Sequence, residues 1–361
     1  MAPSKPHRAG QAGRPPANSA GLAGESESPT FHPNSCRRAG RETLVGIARL
    51  AAHSELLETK RQVRYFEIPA RSILNRTKPG MPFQWTVNPY RGCEFGCKYC
   101  YARYTHEFME MAASEFEDKI YAKSAAAHLL RQELRKIGGA ERIAIGTATD
   151  PYQPAERRFG RTRAILEVFA KERGRYLGIT TKSDLIVRDI ALLGEIARAN
   201  VLTVHVTITT LHEKLARLLE PRAPCPTLRL EAVRQLSEAG ISVSVFPNPI
   251  MPGITDDEKH LDRLAKAARD AGAQGFGGGP LFLMPCAQRV FLPFLDREFP
   301  QLARRYRATF QKCPYLDRPY KEMLRQRVQR IRDRYGLACG VAEYRPELWR
   351  EEEQGTLFPL Q

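Results

Sequence analysis

Asn88-Pro-Tyr-Arg-Gly-Cys93-Glu-Phe-Gly-Cys97-Lys-Tyr-Cys100-Tyr101 is the stretch from which this chain is read. Three of the eight cysteines fall within it, whereas Cys36, Cys225, Cys286, Cys313 and Cys339 are solitary. In a chain of 361 residues with no apolar leader, such clustering reads as metal ligation in a reducing compartment, not as a disulfide framework. Gly92 and Gly96 let the backbone turn tightly enough to aim three sulfurs inward, and Phe95, Tyr99, Tyr101 and Tyr104 are placed to keep water away. Three thiolates suit a four-iron cluster in which one iron has no protein ligand. Zinc is the rival, and it requires a fourth ligand, His106 or a distant cysteine.

Working outward, the cysteines follow a β-type run at 84–90. Further strand-like runs lie at 143–149, 176–181, 201–209, 241–247 and 275–283. Segments of helical period lie between them at about 124–137, 160–173, 186–199, 227–239 and 256–271. Strands apolar on both faces, alternating with amphipathic helices, predict an α/β fold with a parallel sheet. Six βα units are too few for a closed eight-stranded barrel, and period alone does not separate a partial barrel from a doubly wound sheet. The expected organisation is a disordered head (1–42), an N-terminal extension (43–83) with a helix near 43–57 and an irregular 61–83, a core (84–297), and a basic helical extension (298–361).

The net charge of +16 points to an anionic partner, with nucleic acid the leading candidate. Arg325, Arg327, Arg330, Arg332 and Arg334 crowd the C-terminal region, but their spacing spreads them around a helix and favours a solvated face packed on the core. No apolar run approaches a membrane span, so the expectation is a cytoplasmic monomer away from membranes.

In βα folds, ligand sites gather at the carboxyl ends of strands, and here those ends are polar. Asp150 and Glu156 are carboxylates suited to an ammonium or a ribose. Lys182 suits a carboxylate such as that of a methionine. Thr207 and Thr209 share one strand face. Arg222 is read either as a grip for a carboxylate or phosphate, or as the structural partner of Glu220. Gly275-Phe-Gly-Gly-Gly-Pro is not a phosphate loop, because no lysine follows at the required spacing.

The spacing Cys93-x3-Cys97-x2-Cys100, with the aromatic Tyr99, resembles the signature of the radical S-adenosylmethionine superfamily. Together with Thr149-Asp150-Pro-Tyr-Gln-Pro, Thr181-Lys182-Ser183, Thr207–Thr210, Glu220-Pro-Arg222 and Pro252-Gly253, it looks like the branch related to spore photoproduct lyase, over residues 80–290. The resemblance implies a partial (β/α)6 TIM-like barrel with parallel strands. It implies a [4Fe-4S] cluster on the three cysteines and S-adenosyl-L-methionine chelated at the fourth iron. One electron then gives a 5′-deoxyadenosyl radical that abstracts hydrogen from the substrate. A reductant such as flavodoxin or ferredoxin is implied as partner, and DNA as candidate substrate. Tyr99, Asp150, Lys182, Thr207, Thr209, Arg222 and Gly253 carry over as candidate contacts to cofactor or substrate. One departure counts against thymine-dimer reversal. The lyase has a cysteine near the end of its second strand, where this chain has Thr147 and Ala148, and Cys225 or Cys286 would have to replace it. The rival class is a non-catalytic nucleic-acid-binding protein with a structural zinc or iron–sulfur site. The polar residues at the strand ends speak against it.

Overall fold

A computed structural model describes residues 44–339. In chain order the strands are β1 (Glu55–Lys60), β2 (Val63–Pro69), β3 (Leu74–Arg76), β4 (Trp85–Val87), β5 (Tyr90–Arg91), β6 (Lys119–Ser124), β7 (Arg142–Ile145), β8 (Tyr176–Thr181), β9 (Val201–Thr207), β10 (Ser242–Phe246) and β11 (Gly275–Phe276). β4, β7, β8, β9, β10 and β11 form a parallel array paired strictly in chain order, with β3 antiparallel on the β4 edge. That order distinguishes the two candidate folds: a doubly wound sheet reverses its order midway, and this one does not. The chain is a partial, open barrel of six parallel strands. β9 is buried along nearly its whole length, as a central strand covered on both faces must be.

The connecting helices lie close to where period placed them, at Ala126–Leu134, Arg161–Phe169, Ile190–Ala199, Pro226–Glu238 and Glu258–Asp270. Their ends have local causes. The Asp257 carboxylate accepts the His260 amide at 3.0 Å and starts one helix, and Gly240 at φ +75° follows the end of another. Their apolar stripes (Leu166, Phe169, Leu193, Ile196, Val233, Leu264) pack on Ile143, Ile145, Leu177, Ile179, Val204 and Val243 of the barrel.

The N-terminal part differs from expectation. The helix is shorter, Gly46–Ala52, and Leu56 and Leu57 lie instead on β1. Residues 61–83, expected to be irregular, contain β2 and β3. β1 and β2 form a hairpin turning at Arg61, which sits at φ +54°. β2 runs parallel to β6, and β6 pairs antiparallel with β5, giving a second, four-stranded sheet.

Helices Pro285–Glu298 and Pro300–Phe310 share a core with the cysteine stretch: Phe291, Leu295, Tyr306 and Phe310 join Phe95, Leu219 and Met251 there. The last helix, Arg318–Arg334, lies along Glu258–Asp270. Its arginines are largely paired: Arg325 with Glu322, Arg334 with Asp262 at 2.5 Å, and Arg327 and Arg330 near Glu258. No helix among the described residues is long and apolar enough to cross a membrane. The expected head (1–42), Cys36 and the end of the C-terminal extension lie outside the described residues.

Candidate active site

β5 ends at Arg91, and the cysteine loop begins at once. Gly92 takes φ +83°, and a Cβ there would lie 2.6 Å from the Lys119 carbonyl oxygen, so the turn is pressed against the start of β6. The Gly92 carbonyl accepts the Thr149 hydroxyl at 2.6 Å and the Gln153 side-chain amide at 3.0 Å. The same Gln153 accepts the Glu94 amide at 3.0 Å. Cys93 N–H donates to Phe116 O and Lys98 N–H to Leu219 O. Arg103, fully buried, donates to the Cys97 carbonyl at 3.1 Å and to Ala113 O at 2.8 Å, and pairs with Glu117. The loop is thus shaped by partners from the segments around Phe116, Thr149–Gln153 and Leu219 and by the buried Arg103.

Cys93, Cys97 and Cys100 all line one cleft of about 910 Å³, together with Phe95, Tyr99, Tyr101 and Tyr104. Burial pushes all three thiols up, Cys97 to about 12 even though Lys182 pulls the other way. Left alone they stay protonated, and a bound cation is what would stabilise the thiolates. Among the described residues no three His, Cys, Asp or Glu side chains converge on one ion-sized point. A four-iron cluster needs no such convergence, since each thiolate takes its own iron. His106, the candidate fourth zinc ligand, is turned away: its Nε2 lies 2.9 Å from Lys119 O. Three thiols on a common cleft wall fit an iron–sulfur cluster with one open iron.

The other sequence-derived candidates divide. Lys182 lines the cleft, its Nζ 5.8 Å from the Tyr99 ring centroid. Burial would lower its pKa, but Cys97 and Glu220 outweigh burial and hold it above its usual value, so it remains a cation. Thr207 also lines the cleft, and its carbonyl accepts from Arg229 at 3.1 Å. The Tyr99 hydroxyl donates to Glu220 and lies 3.2 Å from Thr209 Oγ1, which donates to Glu220 Oε1 at 2.6 Å. These residues fix the aromatic ring between two cysteines.

Asp150 reaches the cleft, but both carboxylate oxygens are already engaged, by the Thr181 hydroxyl and the Lys182 amide (2.7 Å each) and by the Tyr152 amide (2.9 Å). It joins the β7 loop to the end of β8. Glu156 is likewise internal, accepting from Tyr90, Thr162, Arg163 and Arg188.

Three expectations are corrected. Arg222 lies outside the cleft and pairs with Asp118 at 3.0 Å, both side chains well exposed. Glu220 pairs instead with Arg229, 2.6 Å apart with both buried, because the helix starting at Pro226 carries Arg229 beneath β9. Gly253, at φ +73°, faces Leu302 and not the cleft. Of the two cysteines considered as hydrogen donors, Cys225 precedes the helix Pro226–Glu238, and Cys286 is buried with its thiol 3.5 Å from the Tyr101 carbonyl. Neither lines the cleft.

Sequence reading missed the cations. Arg76, Lys78, Arg91 and Lys123 line the cleft along with Lys182, while Asp150 is its sole carboxylate among the described lining residues. Aromatic rings continue outward in contact: Tyr101 with Phe282 at 4.9 Å, Phe282 with Tyr315 at 6.0 Å, Tyr101 with Tyr104 at 6.4 Å and Tyr104 with Phe108 at 5.4 Å. Phe108 and Tyr315 end this chain, about half exposed.

Residues 87–265 match the family model described as Radical SAM superfamily. An uncharacterized protein of Mycobacterium tuberculosis is 35% identical over 303 residues, covering 83% of this chain and 87% of the relative. An uncharacterized protein of Methanocaldococcus jannaschii is 31% identical over 241 residues, covering 66% and 85%. Among solved structures, a variant of spore photoproduct lyase superposes with a TM-score of 0.57 at 15% identity, covering 76% of this chain and 80% of that one. Another, described with bound AdoMet and dinucleoside spore photoproduct, gives 0.54 at 13% identity, covering 75% and 80%.

Proposed function

This chain belongs to the radical SAM superfamily, and from that premise we propose that its substrate is nucleic acid, taken as a single strand or a locally opened duplex. The observation that carries the reading is the cleft itself, with Arg76, Lys78, Arg91, Lys123 and Lys182 facing a single carboxylate whose oxygens are already bonded. Cations that track a backbone, beside aromatic faces on which bases stack, are what single-strand recognition requires. The lyase whose fold this chain shares is described with a dinucleoside in its site, which agrees with this chemistry.

Bound to Cys93, Cys97 and Cys100, a [4Fe-4S] cluster with S-adenosylmethionine supplies a 5′-deoxyadenosyl radical for hydrogen abstraction. The chain's own residues do the rest. Lys182 lines the cleft as a cation held by Cys97 and Glu220, and would pair with a carboxylate of the bound cofactor. Glu220 and Thr209 hold Tyr99 still. Tyr101, Tyr104 and Phe282 exclude water from the mouth. Among the described residues no cysteine other than Cys93, Cys97 and Cys100 lines the cleft, so thymine-dimer reversal as the lyase performs it is not assigned to this chain. A cytoplasmic reductant such as flavodoxin or ferredoxin completes the reading.

Anaerobic reconstitution should give about four irons per chain, and dithionite with S-adenosylmethionine should release 5′-deoxyadenosine. Cys97→Ala should abolish both. Ultraviolet-irradiated and undamaged oligonucleotides should bind and change the yield of 5′-deoxyadenosine. Zinc in place of iron would sink the cluster assignment. Full cofactor cleavage indifferent to any oligonucleotide, with no binding, would sink the substrate.

A further inference from the structure

Arg91 and Lys123 stand on the second sheet, across the cleft wall from the barrel. In the antiparallel pairing of β5 with β6, Tyr90 is opposite Ala122 and Arg91 opposite Tyr121, and the Lys123 amide continues the ladder to Pro89 O at 3.1 Å. Arg91 and Lys123 are therefore diagonal neighbours on one face of the sheet, a spacing that long side chains bridge easily. Both line the cleft.

Two like charges at such positions repel, and burial makes this worse. Lys123 is only 8% exposed, yet no hydrogen bond or ion pair of its ammonium occurs among the described residues, and the same holds for the Arg91 guanidinium. Glu133, the carboxylate whose charge acts on Lys123, forms no ion pair with it, and its Oε2 accepts the Ile73 and Leu74 amides at 3.0 and 2.8 Å. Burial, and after it Arg91, pull Lys123 down to about 7. A cation pair built into a wall and lacking a counter-ion indicates an anion brought from outside.

We propose that Arg91 and Lys123 form a phosphate-binding site that grips a phosphodiester of the nucleic-acid substrate and sets which nucleotide reaches the cluster. The proposal rests on the nucleic-acid reading above for the source of the phosphate, but not for the site's existence. A forked guanidinium beside an ammonium matches the two free oxygens of a phosphodiester. Lys182 lies on the barrel side next to Cys97, so a cofactor carboxylate has its own partner. Tyr104 lies beside Arg91 and stacks edge-on with Phe108, so a base adjoining the held phosphate has an aromatic face within reach.

The test uses the reconstituted full chain, with Arg91→Gln, Lys123→Met and the double variant, each checked for iron content. Two probes are used: a fluorescein-labelled single-stranded oligothymidine read by anisotropy, and inorganic phosphate read by the shift in unfolding temperature. Each single variant should weaken oligonucleotide binding about tenfold and flatten the plot of log affinity against log salt by about 0.7 per cation removed. Lys123→Arg should restore binding. Phosphate should stabilise the wild type and not the double variant. Equal phosphate stabilisation of wild type and iron-replete double variant overturns the site, as does unchanged oligonucleotide affinity. A loss of S-adenosylmethionine affinity with oligonucleotide binding intact also overturns it, and reassigns the pair to the cofactor. Phosphate binding that depends on the pair, in a wild type that takes no oligonucleotide, removes the nucleic-acid reading and leaves the anion site standing.

Discussion

His106 follows the cysteines by six residues, and its fate shows how far single residues can be read. As a ligand type near a metal motif it invited a metal role, yet it is fully buried with Nε2 on Lys119 O and Nδ1 without a partner. Burial pulls its pKa down to about 4, so the folded chain refuses a proton that the unfolded chain binds below about 6.5. The unfolded state holds the extra proton across that window, so stability must fall as pH falls from about 6.5 to 4. The shift corresponds to about 3 kcal/mol. Urea titrations of the iron-free protein between pH 7 and pH 4.5 should show this loss, and His106→Gln should flatten it by about 2 kcal/mol or more. An identical pH slope in the variant would refute the assignment. Lys182 and Thr207 could be placed from sequence because each sits at the end of a barrel strand, β8 or β9, whose position the βα rhythm fixes, whereas the cysteines and Tyr99 were found by their own spacing. Arg222, Glu156 and Gly253 could not, because their partners Asp118, Arg188 and Leu302 come from segments that only tertiary packing brings near.

At the scale of elements, the six barrel strands were legible because parallel strands covered on both faces are continuous apolar runs. The second sheet was not, although β2 begins with buried Val63 and Tyr65 on either side of exposed Arg64. Its hairpin turns at Arg61-Gln62 without the Gly or Asn that marks such turns, and β5 is two residues long. Arg91 and Lys123 were overlooked for this reason: until β5 and β6 are paired, nothing connects residues 91 and 123. The cysteine loop depends on the same pairing. Gly92→Ala meets both a left-handed backbone, about 1–2 kcal/mol, and the Lys119 carbonyl at 2.6 Å. Gly160 has φ +59° with open space beyond it, so Gly160→Ala isolates the backbone cost. Gly92→Ala should lower stability by at least about 1 kcal/mol more than Gly160→Ala, and it alone should lower iron content after reconstitution. Equal effects in the two variants would show that the loop does not need its close approach to β6.

For the whole molecule, net charge proves a poor guide to location. The +16 suggested an anionic partner, but several arginines of the C-terminal helix that contributes to it are paired with Glu258, Asp262 and Glu322. Five further cations line the cleft. If the cleft alone holds a single strand, its four cations apart from Lys182 set a limiting slope of about −2.8 for log affinity against log salt. A slope steeper than about −6 would move much of the contact to the outer surface.

The ligand loop takes its shape from hydrogen bonds to Phe116, Thr149, Gln153 and Leu219 and from the buried Arg103, none of which involves iron. A zinc finger collapses when stripped, because the metal is its core. A scaffold built this way predicts that emptying the site leaves the rest of the fold in place. The far-ultraviolet circular dichroism and the urea midpoint of the iron-free chain should stay close to those of the iron-replete chain, and iron added back should refill the site without refolding.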